Sequence, residues 1–221
     1  MDAHPELVAL LLADARLPVA GHTQSAGLEP ALAAGPVHVP SFVELRLRTV
    51  VRTEAATAVV ARAVTLGRGP DGGTLDHVQR AWAARTPSAA MRRTSRTLGR
   101  ALARLAPRLL PAPELLVLPL EPARPVVLGA VAALCGLDAT STARLVAYDD
   151  VQTVISAALK LTPLDPAEAT GWVVGAFAHV TACVEAVSHL SDPADLPTRN
   201  APVLEEHAEC HAHTTRRLFS A

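Results

Sequence analysis

Aromatic residues make up only 3% of the 221 positions, and lysine occurs once, at Lys160. Strands favour aromatic and β-branched side chains, so this scarcity works against an all-β fold. The three cysteines, Cys135, Cys183 and Cys210, are far apart and include no C-x-x-C pair. That spacing points to neither a disulfide framework nor a zinc ribbon. Charge of one sign is also missing, since 20 Lys+Arg stand against 21 Asp+Glu for a formal net charge of −1. Non-specific nucleic-acid binding needs a basic surplus to displace counterions, and none exists here. The most apolar stretches, Pro125–Leu137 and Ala169–Val184, fall short of the roughly 20 residues that span a bilayer. The N-terminus carries Asp2 and Glu6 without a basic region, so no secretory signal is read. The expectation is a soluble, cytoplasmic protein without nucleic-acid or membrane partners.

Alanine and leucine are abundant instead, with 43 and 31 copies. Both stand at the head of the helix-propensity scale. Helices are expected over Glu6–Asp14, after the loop 17–30, from Ser41 to about Leu66 either whole or broken midway, over Thr74–Arg85 and over Ala89–Leu105 capped by Ser88. Others follow over Val126–Cys135, over Ala139–Leu161 capped by Asp138, and from the Asp165-Pro166 start to about Leu190. Ser41-Phe-Val-Glu44 has the form of a capping box. Gly67–Gly73 reads as a loop, two proline-rich connectors lie near 107–125 and 193–202, and only Leu115–Leu120 suits an extended conformation. The fold class is therefore all-α, a single-domain helical bundle of eight or nine helices over residues 1–221.

The sequence carries no enzyme signature. The glycine-rich loop lacks the Gly-Lys-Ser/Thr ending of a phosphate-binding loop, and neither G-x-S-x-G nor His-Glu-x-x-His occurs. Arg92, Arg96, Arg100, Arg104 and Arg108 recur every four residues, and no acid falls between Ala81 and Pro113. This ridge is either a solvated helix face or a dock for an acidic partner surface. His207, Cys210 and His211 fall on one helical face if their segment is helical. They are candidate ligands for a soft divalent ion, or incidental polar groups. His179 and Cys183, four apart in an apolar stretch, read as a core histidine beside a buried thiol.

Three segments together resemble the UreF family of urease accessory proteins. Leu17-Pro-Val-Ala-Gly-His-Thr-Gln-Ser25-Ala-Gly27-Leu-Glu29 is similar to its N-terminal "LP-x-G…S-x-GLE" signature. Arg93-Thr-Ser-Arg-Thr-Leu-Gly-Arg100-Ala-Leu resembles its "S-x-x-x-G-x-x-L" helix, and Ala158-Leu-Lys160-Leu-Thr-Pro163-Leu its "A-x-K-L-x-P-L" turn. The ending Arg216-Arg217-Leu218-Phe219-Ser220 resembles the family's "RLFRS" terminus. The resemblance implies an all-helical, non-enzymatic chaperone for nickel insertion into urease. It would dimerise, bind a UreD/UreH-type scaffold, recruit the UreG-type GTPase and act on the urease apoprotein. No tightly bound cofactor is implied, only nickel in transit. Candidate partner-binding residues are Ser25, Gly27, Glu29, Arg100, Lys160, Arg216, Arg217, Leu218 and Phe219, with residues 201–221 as a C-terminal interaction segment. The matching lysine has been considered in the family as an influence on the GTPase. Two rival readings are a metal-dependent helical hydrolase using His207, Cys210 and His211, and a helical ligand-binding regulator.

Overall fold

Small side chains decide how closely the helices of this chain approach one another. The computed structural model describes residues 4–14, 16–19, 23–70, 73–214 and 218–219. Among them lie α1 (Pro5–Leu12), α2 (Leu28–Ala34), α3 (Val39–Arg48), α4 (Val50–Thr65), α5 (Leu75–Ala84) and α6 (Ala89–Leu105). They continue with α7 (Arg124–Leu134), α8 (Ala139–Leu161), α9 (Pro166–Gly175), α10 (Phe177–Glu185) and α11 (Pro202–Ala212). No strand forms among the described residues, as the composition anticipated, and no helix there is long and apolar enough to cross a membrane.

The eleven α-helical segments exceed the expected eight or nine. The stretch expected from Ser41 breaks at Thr49, whose φ of −124° and ψ of −98° leave the helical region. The stretch expected from Pro166 is divided at Ala176. The capping box at Ser41 is also corrected. α3 begins at Val39 with Pro40 in its first turn, and the Ser41 hydroxyl meets His38 Nδ1 at 2.8 Å instead of capping a helix. Other starts follow the sequence. Thr74, Ser88, Asp138 and Asp165 accept the backbone N–H of His77, Met91, Ser141 and Ala167 through their side chains. Each such cap satisfies a helix-end donor and contributes about 1 kcal/mol.

α4 and α7 are buried around most of their circumference and form the centre. Ala55, Ala56, Ala58, Val59, Val60 and Ala61 of α4 face Val126, Val127, Leu128, Ala130, Val131 and Ala132 of α7 and their neighbours, all at most 1% exposed. α8 packs on α4, and α6 on α7. Gly129 sets the crossing of the central pair, because a Cβ there would collide with the Ala58 carbonyl and the Ala61 methyl. Backbone cannot move aside as a side chain can, so Gly129→Ala should act as an overpacking substitution and cost about 1–3 kcal/mol. Thermal unfolding followed by circular dichroism checks this, and an unchanged midpoint would show that the two helices can separate freely.

Candidate functional site

Three sequence segments that lie far apart in the chain meet at one end of the bundle. The turn Ser25–Gly27 starts α2, with Ala26 and Gly27 at φ of +51° and +84°. The left-handed conformation of Ala26 costs about 1–2 kcal/mol and must be held by its surroundings. Buried Ser25 supplies part of that hold, since its hydroxyl accepts the Glu29 N–H at 3.3 Å and its carbonyl accepts the Leu28 N–H at 2.9 Å. Glu29 is thereby fixed on the first turn of α2, and its carboxylate accepts two consecutive C-terminal amides. Oε1 takes the N–H of Leu218 at 2.6 Å, and Oε2 takes that of Phe219 at 3.0 Å. Hydrogen bonds to a charged group contribute about 1.5–3 kcal/mol each. The Phe219 ring is 3% exposed in the core, and Lys160 Nζ, at the end of α8, lies 5.3 Å from its centroid. An ammonium over an aromatic face is attracted by the ring quadrupole. His211 of α11 closes the arrangement, buried, with Nε2 3.5 Å from Glu29 Oε2. Leu218 itself is exposed. Glu29, Lys160, Leu218 and Phe219 thus form a clasp that binds the C-terminus to α2 and α8.

Beside the clasp lies a cavity of about 170 Å³, wide enough to hold water. Ser25, Gly27 and His211 form part of its wall, and five charged residues face it: Arg46, Glu54, Arg124, Asp149 and Asp150. Arg46 grips Asp150 through two hydrogen bonds of 2.9 and 2.5 Å, joining α3 to α8. Arg124 at the start of α7 pairs with Asp149 at 2.8 Å, and its backbone N–H donates to Ser95 of α6 at 3.2 Å. Glu54 on α4 accepts the indole N–H of fully buried Trp82 at 2.8 Å. Burial pushes the Glu54 carboxyl above its ordinary value, and the Trp82 hydrogen bond pulls the other way. Burial also raises Asp149, against the opposing pull of Arg124. An acid with a raised value in the folded state binds more protons than in the unfolded chain, so stability falls as pH rises from the ordinary value upward. Glu54→Gln keeps an acceptor for Trp82 and removes that charge. The unfolding midpoint of the variant should decline less than that of the wild-type chain between about pH 5 and 8. Parallel pH profiles would show that Glu54 titrates as it does in water.

The model of the UreF family matches residues 35–176. A protein named urease accessory protein UreF from Mycobacterium sp. (strain JLS) is 36% identical over 216 residues, covering 96% of this chain and 97% of the relative. The protein of the same name from Mycobacterium tuberculosis (strain ATCC 25618 / H37Rv) is 38% identical over 217 residues, with the same coverage. That from Mycobacterium marinum (strain ATCC BAA-535 / M) is 36% identical over 216 residues. The chain belongs to the UreF family. UreF relatives are named as accessory proteins and not as enzymes.

Within the UreF-matched segment lie Arg100 and Lys160, while Ser25, Gly27, Glu29, Leu218 and Phe219 lie outside it. Arg100 stands apart from the clasp, exposed on α6, 3.2 Å from Glu121. Arg216 and Arg217 lie outside the described residues. His207, Cys210 and His211 all sit on α11, but Cys210 is exposed and His211 is buried against Glu29. Among the described residues no group of three His, Cys, Asp or Glu side chains is placed to hold a metal ion. His179 is not a core histidine: its side chain is 37% exposed and 3.9 Å from Glu44, although Cys183 beside it is buried. Of the ridge arginines, Arg92 donates to the Thr86 and Pro87 carbonyls at 2.5 and 2.7 Å, so it serves the chain's own turn. The sequence reasoning missed the five charged cavity residues. Their signal was the pair Asp149-Asp150 in the middle of a long, otherwise largely apolar helix, where burial demands cationic partners.

Proposed function

We propose that the chain is a non-enzymatic chaperone of urease maturation that bridges a UreD/UreH-type scaffold and a UreG-type GTPase while nickel is inserted into the urease apoprotein. Membership of the UreF family supports this reading. The observation that carries it is the meeting of two family-like segments, at Glu29 and Lys160, with the family-like ending at Phe219. This junction presents the exposed Lys160 and Leu218 side chains, held in place by the buried Phe219 ring, to a partner. Residues 1–221 act as a single helical domain, 201–221 as its interaction segment, and the working form is a cytoplasmic homodimer. Nickel is cargo in transit and not a resident cofactor.

Lys160 has a defined role in this proposal, since it supports the Phe219 ring and carries positive charge at the docking surface. Lys160→Ala should leave the fold intact, because the exposed ammonium contributes only about 0.5–1 kcal/mol over the ring. It should reduce the nickel content of urease purified from cells that depend on this chain. Full nickel loading in the variant would contradict the role given to Lys160, and full loading in cells lacking the chain would contradict the maturation function itself.

A further inference from the structure

α6 carries two seams of the same spacing on opposite faces. On the inner one Ser95, Gly99 and Leu102 are buried, and Gly99 comes so close to the Pro122 carbonyl that a Cβ has no room. On the outer one stand the only exposed residues of the helix, Arg93, Thr97, Arg100 and Arg104. Steps of four, three and four residues keep them in one narrow sector of the helix surface, about 16 Å long. Exposed Arg108 extends the row into the turn that follows.

The chain's own groups leave most of this charge unanswered. No Asp or Glu occurs between Asp76 and Glu114. Arg85 and Arg92, in the same stretch, are spent on backbone carbonyls of the chain itself. Arg93, Arg104 and Arg108, by contrast, make no hydrogen bond or ion pair among the described residues. Glu209 at the helix start is committed to the Ser88 hydroxyl and the Ala90 N–H. Arg100 pairs with Glu121 at 3.2 Å, but the two side chains are 50% and 57% exposed. An ion pair so open to water contributes little and exchanges readily. Arginines four apart on a helix also repel one another. The helix dipole favours Arg104 and Arg108 near the C-terminal end but gives nothing to Arg93 near the other. Carboxylates from outside would relieve the repulsion and complete the pairing.

We propose that this row is a docking strip for an acidic α-helix of a partner protein, laid along α6. Steps of four and three are the spacing of a helix seam, so Asp or Glu at the same spacing on a second helix stand opposite successive guanidinium groups. Thr97, the short member of the row, lets the two helices approach. An extended segment repeats its same-face side chains roughly every 7 Å, out of step with the about 10 Å from Arg93 to Arg100 and the about 6 Å from Arg100 to Arg104. A nucleic acid fits less well, because the net charge of −1 leaves the rest of the chain without a basic surplus. None of the clasp residues takes part, so the strip adds a partner class that the bridging role does not itself require.

The probe is the peptide acetyl-Glu-Ala-Ala-Gln-Glu-Ala-Ala-Glu-Ala-Gln-Ala-Glu-Ala-Ala-Gln-amide, whose glutamates repeat the spacing of the strip. It carries a neutral dye and is titrated with the full-length chain by fluorescence anisotropy. Saturable binding with a Kd near or below about 1 mM is expected at low salt, as a few exposed charge pairs supply, weakening as salt rises. A peptide of the same composition with its glutamates spread around the helix should bind at least about threefold more weakly. Arg93→Glu and Arg104→Glu should each weaken binding by about tenfold, with circular dichroism unchanged because both side chains are exposed. Arg68→Glu, at an exposed site in the loop after α4, should alter it by less than about twofold. The proposal is overturned by absence of saturable binding to the wild-type chain, by equal binding of the spread peptide, or by equal losses in Arg68→Glu and Arg104→Glu. A single-stranded DNA oligonucleotide that displaces the peptide at a lower concentration than the unlabelled peptide would assign the row to nucleic acid and overturn it. Self-association in sedimentation that Arg104→Glu abolishes would assign it to a second copy of this chain and overturn it likewise.

Discussion

Arg46→Ala should lower the unfolding free energy by about 3–5 kcal/mol, because it leaves the Asp150 carboxylate at a largely buried position without its partner. The pair joins α3 to α8 at 2.9 and 2.5 Å, and the Arg46 side chain is only 9% accessible. Each kcal/mol moves the midpoint of a chain this long by roughly 2–4 °C, so a fall of about 6–20 °C is expected. Removing both charges with apolar residues of similar volume, as in Arg46→Met with Asp150→Leu, should recover much of the loss, since a buried ion pair is worth little against well-packed hydrophobic groups. A loss below about 1 kcal/mol in the single variant would mean that cavity water solvates Asp150 as well as Arg46 does.

Glu29→Ala should release the C-terminus while leaving the bundle folded. Two charge-assisted hydrogen bonds disappear together, with a combined contribution of about 3–6 kcal/mol before local relaxation. Hydrogen exchange at the Leu218 and Phe219 amides should then rise by at least about tenfold, whereas the amides of α4 and α7 keep their protection. Phe219→Ala should produce the same release through loss of the buried ring, a truncation that costs about 3–5 kcal/mol at a well-packed site. Equal exchange in the wild-type chain and Glu29→Ala would show that the clasp is not closed in solution. Equal loss of protection throughout α4 and α7 would show that the C-terminus belongs to the global folding unit.

Local signals written in a few adjacent residues were legible before the structure. The Asp138 cap and Pro163 bracket α8, and Ser88 and the following alanine-rich run define α6. A break in the stretch from Ser41 to Leu66 was legible as an alternative, but its position at Thr49 was not, because Thr and Val tolerate a helix interior. The clasp was half legible. Its residues could be nominated from segment resemblance, yet nothing in the spacing of Glu29 and Phe219, 190 positions apart, says that a carboxylate receives a backbone amide. The charged cavity stayed hidden for a related reason, since Arg46 and Asp150 are 104 positions apart and each alone resembles an ordinary surface charge. The α11 residues His207, Cys210 and His211 were legible as a spacing and no more. The four-residue spacing is compatible with a shared ion, but the packing of α11 on α2 buries His211 against Glu29 and leaves Cys210 outside.

The central claim is that this chain holds two other proteins together. It is tested most directly by mixing purified UreD/UreH-type scaffold and UreG-type GTPase with and without the chain, then separating the mixture by size-exclusion chromatography with light scattering. Co-elution of scaffold and GTPase only in the presence of the wild-type chain, and its loss with Glu29→Ala, is the expected result. Co-elution of the two to the same extent without the chain would contradict the bridging role.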